Sequence, residues 1–309
     1  MSGFIPVRVT DIRQVTPVIR EVSLQPLGSA LPAFSAGSHI QVLLPNGKRN
    51  AYSLLSDPLD TRHYRIAVRH QDDSRGGSRY VHEQLQVGDE LRIAPPANLF
   101  PLHNEAHLHI LLAAGIGITP FIPYCAELLR RGAPFELHYA YRGGVSDAYV
   151  AQLRELIGER LHCYDSPQQR LDLKYVLSNR PLGSHIYACG PQRLLDDLHQ
   201  QAATLGWSDS RIHCEAFTAA QSGEPFSVQL LRSQQQLSVG ADQSLLEALE
   251  AAGVEVPNLC RGGVCGQCQT AYLQGDVEHR DHFLSPEEQT ASLMPCVSRG
   301  CGQPLLLDL

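Results

Sequence analysis

Three cysteines fall within nine residues of this chain, in CRGGVCGQC from Cys260 to Cys268, and glycine holds half the positions between them. Few features constrain a fold more tightly, because thiolates that must meet on one inorganic core dictate the path of the loop around it. Cys260, Cys265 and Cys268 make C-x4-C-x2-C, with Cys296 farther on in LMPCVSRG. Four thiolates can hold a [2Fe-2S] cluster, the short loop wrapping the core while a distant cysteine closes it. Glycines let the backbone approach the sulfides and donate N–H bonds where side chains would obstruct. The alternative is structural zinc, which usually shows two C-x2-C knuckles, and only one such pair is present. Cys301 reads as a bystander to the set.

Composition narrows the setting. Nine cysteines is an odd number, and the five outside this set read as reduced thiols or small buried hydrophobes rather than disulfides. A 309-residue chain with 43% hydrophobic and 18% charged residues is long enough for two or three domains. Its net charge of -7 argues against nucleic acid and for small-molecule or protein partners. The opening stretch MSGFIPVRVTDIRQ has no basic region followed by an apolar run, and no segment is as apolar and long as a membrane span. The expected location is the cytoplasm.

Texture changes along the chain mark three regions. Residues 1–102 hold short alternating segments such as HIQVLL, YRIAVR and DELRIA between turns like PNGK and DDSRGG, which read as an antiparallel β-barrel. Residues 103–217 alternate buried strands (HLHILLAA, FELHYAYR, SHIYACG) with helices (FIPYCAELLRRG, VAQLRELIG, RLLDDLHQQAATLG), the pattern of a covered parallel α/β sheet. Residues 218–225, TAAQSGEP, have linker composition. In 226–309, FSVQLLRSQQQLSVG reads as a hairpin and SLLEALEAAG as a helix before the cysteine loop.

A C-x4-C-x2-C…C set after a hairpin and one helix resembles a plant-type ferredoxin, an α+β β-grasp domain. Upstream, LLAAGIGITPF puts Gly115 and Gly117 between a strand and a helix, where phosphate-bearing ligands meet helix N–H groups. YACGPQRLL and HCEAF mark two further strand ends, and AYSLLS and DSRGGSRYVH lie in the first region. In this order the segments resemble the ferredoxin–NADP reductase superfamily, and within it the phthalate dioxygenase reductase family, with flavin barrel, nicotinamide domain and C-terminal ferredoxin. The resemblance implies that Tyr52 stacks on the flavin and Ser53 hydrogen-bonds near its N5, with Asn50, Leu54, Ala67 and Val68 lining the same site. It gives the flavin phosphate to Gly76, Gly77 and Ser78. It sets Gly115, Gly117, Thr119, Pro120, Gly190 and Pro191 around the pyridine nucleotide, Cys189 near the nicotinamide, and Glu215 and Phe217 beside the flavin ring. Ser53, Cys189 and Glu215 are the implied catalytic residues, and Cys260, Cys265, Cys268 and Cys296 the metal ligands. The family's arginine two residues before the tyrosine is Asn50 here, which leaves Arg49, Arg75 and Arg79 as candidates to pair the phosphate.

Electron counting supplies the function. NADH gives up a hydride, a [2Fe-2S] cluster takes one electron at a time, and a flavin can do both. The expectation is therefore a monomeric reductase component of a Rieske-type oxygenase, with a diiron or cytochrome P450 acceptor, or a redox sensor without turnover, as alternatives. The flavin should be FMN, since the glycine turn can end on one phosphate with no further loop for an adenine half. NADH should be preferred, because HYAYRGGVSDAYV offers Arg142 without a second base, and Asp147 would repel a 2′-phosphate. Asp276, Glu278, Asp281, Glu287 and Glu288 suggest an acidic docking face or merely a solvated surface. His103, His107 and His109 read as a connection rather than a metal site.

Overall fold

Alternating residues in the first hundred positions give each strand one face to bury, and burying it produces an antiparallel sheet. In the computed structural model, which describes residues 3–72, 76–217 and 221–309, this sheet runs in the order Arg49–Ser53, Ser38–Leu43, Glu90–Ile93, Ile5–Thr16, Ile19–Pro26, Tyr64–Arg69, with Ala97–Asn98 beside Ser38–Leu43. Its outer strands are stitched together just past Ser53: Leu55 N donates to the Arg65 carbonyl at 2.8 Å, and Arg65 N donates to Ser56 Oγ at 3.3 Å. That closure makes the expected barrel, filled by Val7, Val22, Ile40, Ile66 and Ile93. The glycine-rich stretch read as a turn departs from expectation, because Gly77–Glu83 forms a helix. Asp73, Ser74 and Arg75 lie outside the described residues.

The continuous apolar strands pair in parallel because helices cover both of their faces. Their order is Leu161–Asp165, Phe135–Tyr141, Leu108–Ala114, Ser184–Gly190, Ile212–Ala216. Chain direction across the sheet reverses between Leu108–Ala114 and Ser184–Gly190, and ligands of such sheets bind outside the carboxyl ends at this switch. Helix Phe121–Arg131 buries Phe121, Tyr124, Cys125 and Leu128 while Arg130 and Arg131 pair with Glu127 in its last turn. The barrel and this sheet share one core: Ile19, Leu55, Ala67 and Phe100 pack in the same cluster as Leu111, Phe121, Tyr124 and Tyr139. Residues Met1–Phe217 consequently form a single compact unit.

Thr218–Leu309 is the second unit. Its mixed sheet runs Gln236–Val239, Phe226–Leu230, Arg299–Leu307, Thr270–Glu278, Ser292–Leu293, and its first two strands are the expected hairpin. Helix Leu245–Ala251 starts at a reciprocal cap in which Ser244 Oγ accepts from Glu247 N at 3.2 Å while Glu247 accepts from Ser244 N at 2.8 Å. Buried Arg299 donates to the carbonyls of Gln243 (3.0 Å), Glu224 (2.9 Å) and Gly240 (2.9 Å) and stacks over Phe226. Gly223 and Glu224, within the stretch of linker composition, are thus bound into this unit, Gly223 N also reaching the Ala241 carbonyl at 3.1 Å.

Candidate functional site

The four cysteines gather as two pairs. Cys268 Sγ lies 3.3 Å from Cys296 Sγ, and the Cys260 thiol is hydrogen-bonded to Cys265. Within each pair one sulfur is drawn toward thiolate. The Cys260 thiol, with backbone amides, pulls Cys265 down to about 5, and the Cys296 thiol pulls Cys268 down likewise. Two sulfurs per iron is what a [2Fe-2S] core needs, so the donor set fits that group. Gly262 N donates to Cys260 Sγ at 3.3 Å. Gly266 has φ +74, and any side chain there would collide with the ring of Phe283. Between two of the cysteines, Arg261 holds a left-handed backbone, φ +54, while its guanidinium forks onto Glu250 at 2.7 and 2.9 Å. Cys301 is exposed on the strand Arg299–Leu307.

Not every acidic residue of this unit is available at the surface. Asp281 is a buried carboxylate that accepts from Phe283 N (3.3 Å) and Leu284 N (2.9 Å). Asp276, Glu278, Glu287 and Glu288 are all exposed, Glu278 pairing with Arg280 and Glu288 accepting from Ser285 Oγ.

In the first unit, the strand Arg49–Ser53 delivers Asn50, Tyr52 and Ser53 to one end of the barrel. Asn50 Nδ2 donates to the Tyr52 hydroxyl at 3.1 Å and fills the space where a side chain on Gly77 would stand. Burial pushes the Tyr52 phenol up to about 12, with Asn50 opposing. Arg49 instead lies over the Phe4 ring, and Arg79 is exposed. Gly76 has its carbonyl on Asn46 Nδ2 (3.2 Å), and Ser78 Oγ accepts from Gln71 N at 3.2 Å. The side chains of Leu54 and Val68 are in the barrel core and Ala67 is in the shared one, so these three could touch a ligand only through backbone. The Val68 carbonyl is taken by His82 at 2.8 Å.

Glu215 comes to the same place from the last strand of the parallel sheet. Burial pushes its carboxyl up to about 8, with Ser53 near enough to oppose the shift. No well-shaped bond joins them: Ser53 Oγ and Glu215 Oε2 are both buried without a hydrogen-bond partner. Two orphaned polar atoms facing one spot are what a site for a polar ring edge looks like without its ligand, so these residues fit a flavin. Phe217, two residues on, is 41% exposed.

At the switch point, a Cβ on Gly117 would collide with the Cys189 carbonyl, so only glycine permits the turn to lie on that strand end. Gly115 to Ile118 makes one 3-10 turn, closed by Thr119 Oγ1 donating to the Ile116 carbonyl at 3.0 Å, and Pro120 leads into the next helix. Cys189 is fully buried, which holds its thiol far above the normal range, while Gly190 and Pro191 lead into helix Gln192–Thr204. Burial keeps this thiol in its neutral form. Sequence reasoning missed Asp165. It ends the third strand in register with Tyr141, and its Oδ1 accepts from Gly143 N at 3.0 Å, beside exposed Arg142. An acid closing a strand at the carboxyl edge was the available signal.

His103, His107 and His109 turn to different partners: the His185 ring, the Leu182 carbonyl, and the Pro134 and His103 carbonyls. Among the described residues the one Glu/His group close enough for an ion is Glu136, His138 and His162. There Arg180 (2.7 Å) and His138 (2.9 Å) already satisfy Glu136. Among the described residues no helix is long and apolar enough to cross a membrane.

Comparison with known proteins bears on both units. Residues 228–301 match the family model of the 2Fe-2S iron-sulfur cluster binding domain, and residues 90–212 match that of the dimethylamine monooxygenase subunit DmmA-like N-terminal domain. The chain is 71% identical over 309 residues, 100% of both chains, to the heme-dependent oxidative N-demethylase beta subunit of Ectopseudomonas mendocina (strain ymp). It is 41% identical to the carnitine monooxygenase reductase subunit of Acinetobacter baumannii, covering 98% of each. The crystal structure of a phthalate dioxygenase reductase, described as a modular structure for electron transfer from pyridine nucleotides to [2Fe-2S], superposes with a TM-score of 0.91 at 33% identity, covering 99% of this chain and 98% of that one.

Proposed function

This chain belongs to the phthalate dioxygenase reductase family of oxygenase reductase components, and we propose that it carries electrons from NADH, through FMN and a [2Fe-2S] cluster, to the terminal subunit of an oxidative N-demethylase. When bound, the flavin would take the hydride pair and release it singly to the cluster. The observation that carries the reductase reading is the orphaned pair Ser53 Oγ and Glu215 Oε2, in a chain whose other unit gathers four cysteines.

The residues divide the work. We assign the flavin to residues 1–102, the nucleotide to 103–217 and the cluster to 226–309, with 218–225 between. Tyr52 would stack on the ring, Asn50 holding its hydroxyl, while the Ser53 hydroxyl and the Glu215 carboxyl would meet the ring's polar edge. Gly76, Gly77 and Ser78 would hold the phosphate by backbone amides and a hydroxyl; among the described residues Arg79 is an exposed cation adjoining them in sequence. Gly115, Gly117, Thr119, Pro120, Gly190 and Pro191 would border the nucleotide, with Cys189 behind the nicotinamide and Phe217 covering the flavin. Asp165 would accept the adenosine ribose hydroxyls and repel a 2′-phosphate. Cys260, Cys265, Cys268 and Cys296 would hold the two irons.

The haem-dependent partner rests on the 71% relative and is supported by the DmmA-like match. A Rieske-type terminal oxygenase is the second reading, favoured by the full-length likeness to phthalate dioxygenase reductase. A location in the reducing cytoplasm suits nine free cysteines, four of which must stay reduced to bind iron. The test has two stages. Without oxygen, NADH should bleach the flavin of the purified holoprotein, and a haem-containing N-demethylase subunit, but not a Rieske oxygenase, should then reoxidise it; admission of O2 with an N-methylamine should next release aldehyde. Bleaching without either transfer would sink the partner assignment; no bleaching would sink the reductase.

A further inference from the structure

Tyr149 stands in the left-handed region, φ +64, at the start of helix Val150–Ile157. A bulky side chain rarely accepts that backbone, so something must over-determine it. Its hydroxyl is buried and donates to Glu21 Oε2 at 2.8 Å, on the barrel strand Ile19–Pro26. Glu21 is only 5% exposed and is held from two further strands, by Arg13 at 3.1 Å and Arg65 at 3.6 Å. The first is in Ile5–Thr16 and the second in Tyr64–Arg69, which also carries Ala67 and Val68.

At the other end of the same loop, Ser146 N and Ser146 Oγ close the turn on Arg142, and the Ser146 carbonyl lies 2.8 Å from the Tyr139 hydroxyl. That hydroxyl also sits 3.2 Å from the carbonyl of Gly115. A line of polar contacts therefore runs from the Gly115 turn through Tyr139, Ser146 and the loop 142–149 to Tyr149, Glu21 and the barrel.

We propose that Tyr149 is a positioning residue that latches the nucleotide-binding loop 142–149 to the barrel through Glu21, fixing how closely the dihydronicotinamide approaches the flavin. This rests on the reductase reading above. The reaction it serves is the family's own: a hydride, two electrons and one proton, leaves NADH as NAD+ forms and the flavin is reduced. Tyr149 touches none of the reacting atoms. Its effect is on the distance and angle of approach, where small misplacements cost rate more than binding.

The test uses the full-length holoprotein and two conservative variants, Tyr149→Phe, which deletes one hydroxyl, and Glu21→Gln, which keeps an acceptor. Flavin and iron content should match wild type in both. Amide exchange in 142–149 should speed up in Tyr149→Phe while the barrel strands stay protected. In anaerobic stopped flow the limiting rate of flavin bleaching by NADH should fall about tenfold, as expected for one lost hydrogen bond to a charged group, with a raised isotope effect from 4-deuterated NADH and a KM within about twofold. Glu21→Gln should fall between the two. A wild-type bleaching rate in Tyr149→Phe would overturn the proposal, even if its melting temperature dropped. Should wild type itself not bleach, the reductase reading fails; the exchange arm still judges the latch, and unchanged exchange in 142–149 would reject it.

Discussion

Ser53 Oγ at the barrel end and Glu215 Oε2 on the last strand of the parallel sheet are neighbours, both buried and both without a hydrogen-bond partner. Burial outweighs Ser53 and pushes the Glu215 carboxyl up to about 8, so it is protonated at neutral pH. Hydride transfer to the flavin should therefore slow as pH rises through about 8, because an anion would then face the electron-rich ring. Glu215→Gln imitates the protonated form and should flatten this profile between pH 7 and 9. The same group sets a sign for stability. Its folded pKa lies above the unfolded value of 4.5, so its contribution is whole below 4.5 and is lost as pH climbs to about 8. The flavin-free Gln variant should lose less stability than wild type over that window in denaturant titrations.

Cys265→Ser should cost the cluster and little else. A hydroxyl is a harder and poorer iron ligand, so iron content and visible cluster absorption should drop by more than about half. The residues proposed for flavin and nucleotide belong to the other unit, so NADH should still bleach the flavin and ferricyanide should still be reduced. Reduction of a terminal oxygenase subunit should nearly vanish. Full transfer to that subunit by the variant would break the linear route.

Asp165→Ser should relax nucleotide choice. It removes the carboxylate that closes the third strand on Gly143 N, and with it the repulsion of a 2′-phosphate that exposed Arg142 could meet. We expect kcat/KM for NADPH to rise about tenfold or more and that for NADH to fall, measured with ferricyanide as acceptor. Asp147→Ser should move the ratio less. Equal effects from both would return the weight to Asp147.

Acid should loosen the parallel sheet before the cluster unit. His185 lies against the rings of His103 and His213, and burial, followed by those neighbours, pulls it down to about 4; burial lowers His213 and His109 as well. A histidine kept neutral by the fold keeps its full stabilising share above the unfolded value of 6.5 and loses it as pH falls toward about 4. His185→Gln should shrink the drop in melting temperature between pH 7 and 5. An unchanged drop would clear the histidines of the effect.

Much of this protein is local enough to read without coordinates. The C-x4-C-x2-C spacing is one, since its ligands share a single loop and chain length alone brings them together. The strands Tyr64–Arg69, Leu108–Ala114 and Ser184–Gly190 are others, because hydrophobic period and flanking turns declare them. Gly117 was legible as a turn, though its reason, the Cys189 carbonyl beneath it, was not. The helix Gly77–Glu83 hid behind its glycines, whose turn signal overrode a short helical run.

What the sequence determined by itself is thus the kind and order of the parts: a barrel, a parallel sheet with a glycine turn at its switch point, and a cysteine-bearing domain. Tertiary structure alone decided which distant groups meet. Glu215 finds Ser53, Tyr149 finds Glu21, Asp165 closes on Gly143, and Arg299 draws Glu224 out of a stretch with linker composition. Most of these partners lie far apart in sequence, and for Ser53 with Glu215 and Tyr149 with Glu21 burial strips away water and leaves each polar side chain in need of the other.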